Sequence, residues 1–219
     1  MITVPTKSVS RLPSTVRQLL AAIRGLLVFT VICGIAYPLF MYGISQGAFN
    51  KQANGSLVHF HGRVVGSSLL CQEFLGPKGK PLPQYFQPRP SASEVSATNQ
   101  TGGCDPLASG GSNLGPNNPV LVTDIRQRIK AIEKFDHVPA SAIPPDAVTV
   151  SASGLEAYIS PQNAAIQVSR VAAARHISPA TVRALVTRYT FGRPLGFLGE
   201  PGVNVLLLNI ALDKHHAVP

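Results

Sequence analysis

Residues 25–44 read GLLVFTVICGIAYPLFMYGI and contain no charged side chain. As an α-helix the stretch is about 30 Å long, which matches the hydrocarbon core of a bilayer. A helix satisfies its own N–H and C=O groups, so the segment can lie in lipid without stranded backbone. Two alternatives fit less well. A buried core helix rarely runs this far without a charge, and a cleaved signal peptide has a shorter apolar core closed by small residues. Here the run ends in Leu39, Phe40, Met41 and Tyr42, and Ser45-Gln46-Gly47 makes a poor cleavage site. The reading is one transmembrane helix, placed at residues 19–44. Gly34 lets a partner helix approach closely, Pro38 removes one backbone donor, and Tyr37 and Tyr42 suit the far interface.

Charge sets the expected orientation. Lys7, Arg11, Arg17 and Arg24 precede or edge the span, with no acid among them, whereas only Lys51 and Arg63 follow closely. Basic residues stay on the cytoplasmic side. Residues 1–18 are therefore expected to form a cytoplasmic basic tail, and residues 45–219 an extracytoplasmic (periplasmic) domain at the inner membrane. The chain carries a net charge of +9. The N-terminal share is explained by topology and anionic lipid. The remainder is spread thinly, with no basic run or basic–aromatic interleaving, which argues against nucleic acid as a partner.

Beyond the span the residues suffice for one domain with its own core. Residues 45–56 have turn composition, and Asn54-Gly55 marks a tight turn. Leu57–Phe60 and Arg63–Gly66 flank His61-Gly62 as a hairpin. From Gly76 to Pro119 the chain is rich in Gly, Pro, Ser and Asn, and reads as ordered, function-bearing loops. Asn118-Pro119, Ser160-Pro161 and Ser178-Pro179 each set a side-chain acceptor at the N-cap with proline following, which predicts three helices. Val148 to Gly154 reads as a short strand giving way to small residues. Val203 to Asn209 reads as a buried strand running into a final helix at 209–214. The fold class is α+β: one N-terminal transmembrane helix, then a single mixed α+β domain.

Catalytic signatures are sparse. There is no GxxxxGK[ST], no GxGxxG and no GxSxG. His59 and His61, two apart on a strand, would face one side and with a carboxylate could hold a metal; the plainer reading is a solvated strand edge. His215-His216 reads as a frayed tail. Ser109-Gly110-Gly111-Ser112 reads as a turn whose glycines need positive φ, with an anion cradle as the alternative. Cys71 and Cys104 lie in one domain, where a disulfide and two separate buried thiols are both admissible. Neither has metal-ligand spacing.

Several phrases, in order along the chain, carry a family resemblance. They include Gln52-Ala-Asn-Gly-Ser-Leu57, Tyr85-Phe-Gln-Pro-Arg-Pro-Ser-Ala92, Ser109-Gly-Gly-Ser-Asn-Leu114, Ser151-Ala-Ser-Gly-Leu155, Arg170-Val-Ala-Ala-Ala-Arg175 and Asn209-Ile-Ala-Leu-Asp213. Together, behind one N-terminal span, they resemble the C subunit of the Kdp-type potassium-transporting P-type ATPase. The resemblance implies a non-catalytic accessory subunit in an ATP-driven potassium import complex. Implied partners are a channel-like potassium-binding subunit, a P-type ATPase catalytic subunit and a very small membrane subunit. The complex would use ATP, Mg and K, and this chain would have no cofactor of its own. The family is described as a catalytic chaperone that raises the ATPase subunit's affinity for ATP, with nucleotide binding ascribed to it. The charge bias sets residues 45–219 away from cytoplasmic ATP, so any such influence is expected to be allosteric.

The chain also departs from the family pattern. Cysteines stand at 71 and 104 where the family tends to have none, which leads to the expectation that they pair. Gly76–Pro83 looks like an insertion, and Glu156 replaces a usual aspartate. The candidate partner contacts are Gly34 and Pro38 in the span and Arg89, Ser91, Ser112, Asn113, Ser153 and Gln162 in the domain. The alternatives from other classes are a membrane-anchored extracytoplasmic hydrolase using Ser153, or a small-ligand-binding module.

Overall fold

The computed structural model describes residues 13–92 and 103–215. The basic tail up to residue 12 and His216 lie outside the described residues. The chain divides into two compact units after Asn54.

The first unit is dominated by helix α1, Ser14–Ala48, none of whose residues is buried. It starts five residues before the expected span and ends four after it. Within it, Thr30–Ala36 winds as a π-helix, the Tyr37 N–H reaching back to the Ile32 carbonyl. Pro38 explains the widened turn: its ring crowds the carbonyl four residues earlier and it offers no N–H. Of the turn composition at 45–56, the Asn54-Gly55 turn is present, with Gly55 at φ 83°, but the residues before it are not turns. The chain stays helical to Ala48 and again in α2, Asn50–Ala53. The Asn50 and Asn54 amides both donate to Gln46 Oε1, at 2.9 and 3.1 Å, a side-chain ladder that helical spacing allows.

The second unit opens with a hairpin, β1 (Leu57–Phe60) and β2 (Arg63–Ser67), with Phe60 opposite Arg63. His61 and Gly62 both have positive φ, 48° and 76°, the geometry of a two-residue primed turn. His61 therefore sits in the turn and packs against the Phe60 ring, not beside His59 on a strand face. A second sheet has the antiparallel order β3 (Tyr158–Ile159), β5 (Gly202–Asn204), β4 (Thr190–Phe191). A Cβ at Gly202 would meet the Tyr158 side chain at 3.2–3.4 Å, so glycine lets that ring lie close against the central strand.

The three capped helices form where the Asn/Ser-Pro pairs stand: α3 (Pro119–Asp136), α5 (Pro161–Ala174) and α6 (Pro179–Arg188), with short α4 (Pro145–Val148) between the first two. Asn118, Ser160 and Ser178 each accept from a first-turn N–H. Two strand expectations are corrected. Val148 ends α4 and the residues after it run into a loop, because Pro145 starts a helical turn that the Thr149 hydroxyl closes on the Pro145 carbonyl. The strand at Val203 stops at Asn204, whose Oδ1 caps the Leu207 N–H, so the last helix α7 runs Val205–His215.

The core gathers Phe86, Ile159, Ala164, Val168, Val171, Val182, Val203, Leu208 and Leu212. Phe86 is fully buried although it belongs to no strand or helix. Its N–H donates to Asn209 Oδ1 and its carbonyl accepts from Asn209 Nδ2, both at 2.9 Å. Gln167 does the same for Gln87, at 2.8 and 3.2 Å. Asn209→Ala leaves two buried backbone groups unpaired and is expected to cost about 2–4 kcal/mol, read by denaturant unfolding of the full chain. Asn209→Asp keeps the acceptor but loses the donor and should remain destabilised.

Candidate functional site

Three of the sequence phrases meet as loops. The Ser151 N–H donates to Pro90 O at 2.9 Å, and Ser91 Oγ to Gly154 O at 2.7 Å. Ser109 Oγ and the Gly110 N–H both donate to Ser153 O at 2.9 Å. The glycines serve this junction by size. Neither Gly110 nor Gly111 has positive φ, and a Cβ on Gly111 would fall 2.8 Å from the Ala152 carbonyl oxygen. This corrects the expectation of a positive-φ turn. With the Gly110 N–H given to Ser153, that group cannot cradle an anion.

Cys71 and Cys104 are joined, with Cα atoms 5.6 Å apart. The Cys71 N–H bonds Leu155 O, so the bridge fastens the start and end of the intervening chain near the same junction. Constraining a closed loop of this length stabilises the fold by about 3–4 kcal/mol in the chain-entropy treatment.

Beside the junction runs a groove of about 690 Å³. Leu75, Pro88, Pro90, Ile132 and Phe135 supply its apolar walls, and Lys80, Lys134, Arg89 and Glu73 its charged groups. Arg170, also on its wall, is fully engaged. It pairs with Asp136 at 2.7 Å, donates to Pro83 O, Tyr85 O and Gln167 Oε1, and lies over the Phe135 ring. Burial raises the Asp136 carboxyl above its ordinary value even against the pull of Arg170. Arg89 is different. Its Nε is buried and has no hydrogen-bond partner among the described residues. Asp146 and Glu156 line a second cleft that Arg89 also borders, but among the described residues neither forms an ion pair with it. Asp146 is occupied by the Ser160 N–H, the Ser160 hydroxyl and the Asn163 amide.

Of the sequence candidates, Arg89, Ser91 and Ser153 meet at this junction. Asn113 is exposed in the left-handed region at φ 49°, and Ser112 is half-buried beside it. Gln162 is exposed on the first turn of α5. Gly34 and Pro38 belong to the first unit, where a Cβ on Gly34 would meet only Thr30 of its own helix, at 3.8 Å. Ser153 Oγ contacts Ser151 Oγ at 3.3 Å and accepts from the Leu155 N–H at 3.1 Å. No histidine is hydrogen-bonded to it among the described residues. No cluster of three metal-ligating side chains occurs among the described residues either. Sequence reasoning missed the helix residues that hold the 83–87 segment: Gln167, Arg170, Arg175 and Asn209. The available signal was polar residues on otherwise apolar helix faces.

The family model of the K+-transporting ATPase c chain, KdpC, matches residues 19–214. The chain belongs to the KdpC family. It is 52% identical over 189 residues to the potassium-transporting ATPase KdpC subunit of Sorangium cellulosum, covering 86% of this chain and 93% of that one. The subunit of Geobacter sulfurreducens is 46% identical over 198 residues, 90% of this chain and 97% of the other. That of Mycobacterium tuberculosis is 48% identical over 199 residues, 90% and 98% respectively. Family membership makes the chain an accessory subunit of a potassium-transporting ATPase complex, and its one long apolar helix fits a single-pass membrane protein.

Glu73 lies between this groove and a smaller cleft lined by Cys71 and Cys104. Burial pushes its carboxyl up from 4.5 to about 7. Between these values the native state holds a proton that the unfolded chain releases. Stability therefore falls as pH rises through that window and levels off above it. The full chain in detergent is expected to be less stable at pH 8 than at pH 4 by about 1–2 kcal/mol from this group, a figure discounted for its partial exposure. Glu73→Gln should flatten that part of the pH profile of the unfolding midpoint.

Proposed function

We propose that this chain is the non-catalytic assembly subunit of an ATP-driven potassium importer. In this reading α1 crosses the inner membrane with its N-terminus in the cytoplasm, and the second unit lies outside. That unit docks on the channel-like potassium-binding subunit and holds it in register with the ATPase catalytic subunit and the very small membrane subunit. ATP, Mg and K belong to the partners. Any rise in the ATPase subunit's affinity for ATP, the catalytic-chaperone role, is transmitted through α1 and neighbouring helices, as a coupling between distant sites.

The observation that carries the reading is Arg89. A buried guanidinium N–H without an acceptor is costly, and native proteins rarely leave one. It stands in an apolar groove beside Lys80 and Lys134, on the family phrase Tyr85–Ala92. A carboxylate or carbonyl from a partner subunit would satisfy it, and truncating one member of such a buried pair costs about 2–5 kcal/mol. Arg89→Met is therefore expected to reduce co-purification with a tagged partner from detergent by more than about tenfold, with the unfolding midpoint of the chain unchanged. Arg89→Lys should restore part of it. Full co-purification of the methionine variant overturns the docking role, and saturable micromolar ATP binding by the isolated chain overturns the allosteric one.

A further inference from the structure

β4 and β5 pair antiparallel, and the chain between them makes an excursion, Phe191-Gly-Arg-Pro-Leu-Gly-Phe-Leu-Gly-Glu200. It is closed on itself. Arg193 Nε donates to Gly199 O at 2.9 Å and Arg193 pairs with Glu200 at 2.6 Å. Inside that clasp the Gly196 N–H bonds Arg193 O and the Leu198 N–H bonds Pro194 O. The tip this produces is apolar and open: Leu195 is 82% exposed, Phe197 72% and Leu198 47%, with Phe191 half-exposed at the base. Leu195 is held at φ 55°, a left-handed conformation that a leucine adopts at a cost. The loop thus turns large apolar side chains outward and fixes them there. Each is a large apolar side chain that is stabilised by leaving water.

The segment that leads into it is basic, while Glu200 closes the clasp and Asp146 and Glu156 line the cleft at its base. From Pro179 to Gly199 there are three arginines and no carboxylate. Arg193 is spent on Glu200, while Arg183 and Arg188 are exposed on α6, the helix that leads into β4. An apolar tip that follows a helix with exposed arginines suits an anionic membrane surface: the tip enters the acyl boundary and the cations are drawn to the headgroups.

We propose that the Leu195–Phe197–Leu198 tip inserts into the interface of a bilayer bearing anionic lipid, with Arg183 and Arg188 against its headgroups. This does not depend on the Arg89 groove.

The chain has no tryptophan, so Phe197→Trp creates a single fluorescent reporter at an exposed position. The full chain is reconstituted in nanodiscs of phosphatidylcholine, with or without phosphatidylglycerol, using brominated acyl chains as quencher. Emission of the F197W variant should be blue-shifted and quenched by about twofold or more in discs with phosphatidylglycerol, and less so in phosphatidylcholine alone. Arg183→Gln with Arg188→Gln should remove most of that lipid dependence. A control reporter at exposed Gln127 on α3, Gln127→Trp, should stay unquenched. Water-like, unquenched emission of F197W in phosphatidylglycerol overturns the proposal. So does quenching equal to that of the Q127W control, or equal in both lipids, or a blue shift that appears without quenching only when the partner subunits are added.

Discussion

Five consecutive carbonyls, from Pro83 to Gln87, are all bonded by side chains. Arg170 takes Pro83 and Tyr85, Arg175 takes Gln84, Asn209 takes Phe86 and Gln167 takes Gln87. Backbone buried outside a strand or helix must find partners somewhere, and here two helices provide them. This constraint lets Phe86 enter the core from a loop. It also fixes the next residues, so that Arg89, Pro90 and Ser91 arrive where the 109–111 and 151–154 loops can receive them. The polar groups of α5 and α7 thus act as a substitute sheet edge.

That arrangement shows which parts of the molecule were legible in the residues. Local chemistry was: three Asn/Ser-Pro caps gave three helices, and Gly62 after a β-type run gave a two-residue hairpin turn. Strands of two or three residues were not, because Tyr158–Ile159 and Thr190–Phe191 are too short to establish a period of two. Asn204 misled because it ends a strand and caps a helix at once, within an apolar run that reads as one strand. Asn50, read as part of a turn, instead lies in α2 and bonds Gln46 of α1, whereas Asn54 does sit in the turn with Gly55 and bonds the same Gln46 oxygen.

The candidate site was legible in part. Ser91 and Ser153 stood out as motif residues, and their loops do meet, but the contact runs through backbone carbonyls that no residue type announces. Arg89 was visible as a residue and invisible as an unsatisfied one, since burial without an acceptor is a property of three dimensions. The disulfide and Glu73 border the same region. One restrains the chain ends around the 83–91 segment, and the other brings a group whose charge depends on pH.

The π segment at Thr30–Ala36 has a consequence for neighbours of α1. A wide turn adds a residue without adding a turn, which rotates the side chains on its two flanks by about 100° relative to an unbroken helix. A stripe traced from Leu20 toward Leu27 therefore does not continue into the one through Phe40 and Ile44. A single rod offers two differently aimed surfaces at two depths, so two adjoining helices can each be met by a separate half.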